Sequence, residues 1–329
     1  MTVLDYAVLI GTLLFIVAYG TYKTRKNKNI EGYLLGDKQM KWATIGLSVM
    51  ATQASAITFL STPGQAYESG MAFVQNYLGL PIALIVVSAV FIPIYYKLKV
   101  YTAYEYLENR FDLKSRMLAA FLFLVQRGLA AGITIYAPAI VLSSVLGWNL
   151  SATIIVVGLL VIIYTVSGGT KAVSLTQKWQ MGVILLGMAV AFGTIIHNFP
   201  EGVGFLDSLQ LAGKMGKTEA IDFSLDFQER YTFWSGITGG FFLALSYFGT
   251  DQSQVQRYLG GASVNESRMG LMFNAVLKIP MQFFILLTGV MVFVFYQFQP
   301  HDVLFDTTSL ELVEGTEYRG ELEELRTEH

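Results

Sequence analysis

Apolar residues in this chain come in blocks too long for the alternating or amphipathic patterns of soluble folds. Eight stretches, at about 4–22, 42–63, 72–96, 115–146, 150–167, 179–198, 233–256 and 271–298, are each nearly free of charge. A bilayer core about 30 Å thick takes a helix of roughly 20 apolar residues. The pattern therefore predicts an all-α integral membrane protein with about eight transmembrane helices. Polar, Gly-containing residues 199–231 read as a loop between the sixth and seventh spans. Residues 301–329 carry nine Asp or Glu against two Arg and read as an acidic extramembrane tail behind a transmembrane domain of residues 1–300. The run from Tyr101 to Phe111 reads as a short interfacial helix, either a headgroup anchor or a gating element.

Composition agrees. Charged residues are 14% of the 329 and hydrophobic ones 53%, with a mean hydropathy of +0.51. An ordinary globular chain is about 25% charged, so too little ionised surface exists here for a soluble particle. With no Cys, disulfide and thiolate chemistry are excluded. The sequence has no Gly-rich phosphate loop, no HExxH and no Gly-x-Ser-x-Gly elbow, and its three histidines, His197, His301 and His329, are scattered. These absences argue against an enzyme. A net charge of −2 gives no reason to expect nucleic acid as a partner.

Charge sets the expected orientation. Asp5 precedes the first apolar run and Lys23, Arg25, Lys26 and Lys28 follow it, the reverse of a cleaved signal. With the N-terminus outside, fifteen of the 22 basic residues lie on inside segments and five on outside ones. Arg127 and Lys278 fall within spans. This bias satisfies the positive-inside rule.

Three places carry unusual chemistry. In the second span, Met50 to Gly64 is crowded with small and polar residues, including Gln53, Ser55, Thr58 and Ser61. Small residues permit close helix packing; an unwound stretch offering carbonyls to an ion is the other reading. In the seventh span, Tyr247 and Phe248 precede Asp251 and Gln252, either a site or an interfacial end. Lys278, inside the last span, either snorkels to the interface or marks a site. The turn Ser167-Gly168-Gly169-Thr170 allows a tight reversal after the fifth span.

Together these residues resemble the sodium:solute symporter family over about residues 5–298. Tyr164 to Val173, with Thr176 and Gln180, is similar to the family signature. Thr102, Glu105-Tyr106-Leu107 and Arg110-Phe111 match a second motif, followed by Tyr136-Ala137-Pro138-Ala139. Gln256-Arg257, followed by Lys278, matches a third. The resemblance implies a leucine-transporter-type core of ten helices in two inverted repeats, preceded by one extra helix. This chain would hold the extra helix and core helices one to seven, so it looks C-terminally incomplete. An incomplete, non-transporting membrane bundle or a sensor-like module is the alternative.

What the resemblance implies about function is sodium-coupled symport of a small organic solute or anion across a bilayer by alternating access, in a bacterial inner (plasma) membrane. Sodium, the coupling ion, would use the backbone carbonyls of Ala51 and Ala54. Its remaining hydroxyl ligands belong to core helix eight, beyond residue 329, so residues 1–329 alone are not expected to couple tightly. Substrate positions map to Gln53, Ser55, Thr58, Tyr77, Tyr247, Phe248 and Lys278, with Tyr247 and Phe248 as an inner gate. Ile57 and Ala244 stand where sugar-transporting members place polar groups, and an unpaired sugar hydroxyl costs about 1–3 kcal/mol. The branch moving monocarboxylates, vitamins and inorganic anions is therefore favoured over sugar. Leu175-Thr176-Gln177 replaces the Trp-Thr-Asp of members with an additional sodium site, so one sodium per cycle is expected.

Overall fold

The computed structural model describes residues 3–24, 30–55, 57–226, 228–299, 313, 315–316 and 318–328. Among these the chain is helical throughout, with an isolated bridge pairing Met40 and Gly261. The helices are α1 (Val3–Thr24), α2 (Ile30–Leu35), α3 (Trp42–Gln53), α4 (Thr62–Ser69), α5 (Leu80–Val86), α6 (Ile92–Leu98), α7 (Ala103–Arg110), α8 (Leu113–Leu146), α9 (Leu150–His197), α10 (Phe205–Lys214), α11 (Phe233–Thr250), α12 (Gln252–Leu259) and α13 (Val264–Phe295). Much of the acidic tail lies outside the described residues; its described part includes the helix Arg319–Glu328.

Four helices among the described residues are long and apolar enough to cross a membrane: Ala72–Leu98, Leu113–Leu146, Ala172–His197 and Val264–Phe295. A fifth span is made if Trp42–Gln53 and Ile57–Ser69 are taken as one path, bent by 68°. The expected fifth and sixth spans are two helices that meet end to end within α9, parted by a break where Gly169 takes φ 59 and ψ −162. A side chain at Gly169 would also meet the Tyr33 carbonyl oxygen at 2.6 Å, so both backbone angle and space require glycine.

Two further departures have local causes. The expected seventh span, 233–256, stops at Thr250 and restarts as α12. Asp251 is extended there (φ −73, ψ 117), and its carboxylate accepts the Ser253 N–H at 2.9 Å, capping the new helix. The expected loop 199–231 contains α10, whose Asp207 carboxylate accepts the Gly204 N–H at 2.9 Å and fixes its first turn.

The buried centre is α13. One of its ends packs Leu271 and Ala275 with Ile45 and Val49 of α3, Leu84 of α5 and Phe248 of α11. The other packs Leu286, Val290 and Val294 with Ala66 of α4 and Ala212 of α10. α8 is the opposite case: Phe121, Leu124, Leu129 and Ile133 are exposed and Ala139 is its buried residue, the pattern of a lipid-facing helix.

Close approach of α13 to α4 depends on Gly289. A Cβ there would sit 2.1 Å from the Pro63 carbonyl oxygen. Because backbone cannot swing aside, Gly289→Ala is expected to destabilise by about 1–3 kcal/mol. Gly187→Ala, where nothing lies within 4 Å, is expected to be neutral or stabilising. Thermal unfolding of the detergent-purified variants checks this, and equal shifts would contradict the close contact.

Candidate functional site

The site is built on two helix breaks. α3 ends at Gln53, and Ala54 leaves helical geometry (φ −92, ψ 79) before a π-helical segment, Ile57–Ser61. The interruption thus begins at Ala54, four residues later than the start of the small, polar run at Met50. The Ala54 N–H is shared between the Met50 and Ala51 carbonyls at 3.1 Å each. Thr58 donates its N–H to the Ser55 carbonyl at 3.0 Å and its hydroxyl to the Gln53 carbonyl at 3.1 Å. These bonds replace the missing helical ladder. A carbonyl oxygen has two lone pairs, so Ala51 retains one for another donor or a cation.

The second break joins α11 to α12. Carbonyls near the end of α11 have no helical partner, and two tyrosines supply one. Tyr95 donates to the Gly249 carbonyl at 2.7 Å and Tyr258 to the Phe248 carbonyl at 3.0 Å. Gln252, just past the break, accepts the Ala103 N–H at 2.9 Å and donates to the Tyr101 carbonyl at 3.3 Å, tying the start of α7 to the hinge.

Between these breaks lies a cavity of about 1000 Å³. Gln53, Tyr77, Tyr247, Phe248 and Lys278 line it, so five of the expected solute positions come together. Ser55 and Thr58 are at the α3 break, half-buried, and do not line it. Ala51 and Ala54 pack instead beside Met50, Met181, Met281 and Ile285. The wall also holds Asp251, for which the sequence left a site and an interfacial end open, and Asn76, Tyr95, Tyr104 and Gln126, which the sequence did not nominate as site residues. Tyr104 on the wall gives the interfacial helix α7 a place at the cavity as well as at the chain's surface.

Lys278 does not snorkel. It is 1% exposed, and its ammonium lies 5.3 Å from the centroid of the Tyr77 ring. Among the described residues its contact is that aromatic face, and no carboxylate pairs with it. One turn away on each side, Asn274 and Gln282 are buried on the same face of α13 with both amide ends unpaired. A buried ammonium without an anion is costly, so this wall favours an anionic guest.

Tyr247 and Phe248 differ in role despite adjacency. Their rings meet edge to face at 5.2 Å. Phe248 is 1% exposed and belongs to the core cluster, whereas Tyr247 is half-buried and accepts the Gln254 side-chain N–H at 2.8 Å. No group of His, Asp or Glu suited to a metal ion occurs among the described residues.

Residues 33–307 match the sodium:solute symporter family. The chain belongs to that family. Mouse sodium-coupled monocarboxylate transporter 2 is 32% identical over 275 residues, covering 82% of this chain and 44% of the relative. The human sodium/iodide cotransporter is 32% identical over 297 residues, 89% of this chain and 45% of its own. A solved structure of a Na+-coupled sialic acid symporter, substrate-bound and outward-open, matches with a TM-score of 0.84 at 30% identity, over 96% of this chain and 66% of that one. The chain thus spans less than half the length of the curated relatives it matches.

Proposed function

We propose that this chain is the part of a sodium-coupled symporter that holds the solute pocket and half of the inner sodium site, moving a small monocarboxylate-like anion. The observation that carries the reading is Lys278: a buried ammonium on a cavity wall, backed by an aromatic ring and lacking an anionic partner among the described residues. A carboxylate arriving with its own charge supplies that partner. Ala244, apolar on the same wall, offers a sugar hydroxyl nothing. Relatives named for monocarboxylate and iodide transport agree with an anionic solute.

On this reading eight spans cross the membrane, the N-terminus is outside, and the membrane is a bacterial inner (plasma) membrane. Sodium meets the Ala51 and Ala54 carbonyls at the α3 break, where hard oxygen ligands come without a buried negative side chain. Tyr247 closes the pocket toward the inside. Stoichiometry follows from Gln177. Its side-chain oxygen accepts a hydrogen bond from the Ser48 hydroxyl at 2.8 Å. A neutral amide engaged in this way offers no charge to a second cation. Uptake by the full-length protein is expected to depend on sodium with a Hill coefficient near one; a value near two would contradict a single site. The reading itself is tested by sodium-gradient-driven uptake of a labelled short monocarboxylate, with galactose giving none.

A further inference from the structure

Arg127 lies in the middle of α8, the lone charged residue between Met117 and Leu146, and its partner is 124 residues away. Its guanidinium pairs with the Asp251 carboxylate at the α11–α12 break. Asp251 is 7% exposed and divides its two oxygens. Oδ1 accepts the Ser253 N–H at 2.9 Å and the Ser253 hydroxyl at 2.6 Å, which fixes the start of α12. Oδ2 takes the guanidinium and so ties the hinge to α8. The same guanidinium lies 5.3 Å from the centroid of the Tyr247 ring, one turn back on α11. Tyr247 in turn accepts from Gln254, one turn into α12. The result is a closed circuit across the break, running from Arg127 to Asp251, through α12 to Gln254, and back by way of Tyr247.

We propose that the Arg127–Asp251 ion pair is the latch that holds Tyr247 across the cavity, so that releasing the pair frees the α11–α12 hinge and exposes the solute pocket. Arg127 and Asp251 are then positioning residues, acting on the solute path through the Tyr247 ring. Cap and latch use different oxygens, so the latch can part while α12 keeps its N-terminus. The inference rests on the symporter reading for its purpose, but the geometry stands without it.

Residues 1–329 contain no cysteine, so the test uses the full-length protein with any cysteine outside them replaced by serine. A single Cys is placed by Ala244→Cys, on the cavity wall one turn before Tyr247. Its rate of modification by a membrane-impermeant thiol reagent is measured in inside-out vesicles without sodium or solute. Arg127→Met is expected to raise that rate about tenfold, the shift an ordinary coupling free energy produces. Asp251→Asn keeps a good cap for α12 and is expected to give the same increase. Combining the two should add little, because each removes the same pair. Arg127→Lys, which retains the charge, should stay near the parent, and Ser253→Ala, which weakens the cap alone, should leave the rate unchanged.

Unchanged modification in both Arg127→Met and Asp251→Asn, or effects that simply add, would overturn the latch. The two readings fail separately. If modification rises as expected but sodium-dependent uptake is absent, the latch stands and the symporter reading falls. If uptake is sodium-dependent and modification does not respond, the latch falls and the symporter reading stands.

Discussion

Lys278→Met is expected to cut uptake of a short monocarboxylate by at least about thirtyfold and to leave the solute-free protein no less stable. The two halves of this expectation come from the same fact. Lys278 is 1% exposed and its ammonium rests on the Tyr77 ring, with no carboxylate opposite among the described residues. Removing an uncompensated buried charge relieves a desolvation cost, so the melting temperature should hold or rise. With the solute present the ammonium has a partner. Truncating one side of a desolvated charge pair costs about 2–5 kcal/mol, which is thirtyfold or more in affinity. Lys278→Arg keeps the charge but brings a planar fork into a space shaped for a point charge, and intermediate uptake is expected. Paired uptake kinetics and thermal unfolding check both halves. A Lys278→Met protein that unfolds earlier yet transports normally would make the residue structural.

Phe248→Ala and Tyr247→Ala should fail in different ways. Phe248 is a core side chain held among Ile45, Leu84, Val87 and Leu271, and truncating it leaves a cavity. The expected loss is about 3–5 kcal/mol of stability, seen as a clear fall in melting temperature. Tyr247 stands on the cavity wall, so its truncation should cost little stability. Without the ring the pocket has no cover on that side, and solute should leak in a sodium-independent manner. Tyr247→Phe removes the hydroxyl and its Gln254 bond but keeps the ring, and should retain coupled uptake. Melting curves and efflux from preloaded vesicles separate the pair. Equal melting losses for both would show that the two rings are parts of one core.

Much of this was legible in the sequence because membrane solvation writes itself in long apolar runs. The helical content and the turn at Gly169 follow from local residue type. Small and polar residues at Thr52–Ser55 left close helix packing and an unwound stretch both open, and the helix ends at Gln53; at Gly169, with its φ of 59, a side chain would meet the Tyr33 carbonyl. The exact place of each break was less legible, since hydrogen bonds from Thr58 and Ala54 decide it residue by residue. The α11–α12 break hid inside an apparent span because Val255 and Leu259 continue the apolar pattern past Asp251.

Within the site, Lys278 stood out as a lone charge in an apolar run. Its environment did not: the Tyr77 ring lies about 200 residues earlier in the chain. Arg127 and Asp251 were visible singly, Arg127 as a charge within a span and Asp251 as either a site or an interfacial end. Pattern along one chain cannot pair them, because the pairing depends on how α8 lies beside the hinge. Ser55 and Thr58 show the opposite failure. They occupy the right helix, but the backbone turns them into the repair of the break and away from the cavity wall.

The most direct test of the account is uptake by the purified full-length protein in sealed liposomes, with a labelled short monocarboxylate outside. One set of vesicles receives an inward sodium gradient and a matched set an inward potassium gradient, at the same membrane potential. One sodium carried with one monoanion moves no net charge, so the sodium concentration gradient alone, about 1.4 kcal/mol per tenfold, concentrates the solute. Accumulation above the outside concentration with sodium, abolished by a sodium ionophore and absent with potassium, is the predicted result. Equal uptake under both cations, or accumulation that survives the ionophore, would contradict it.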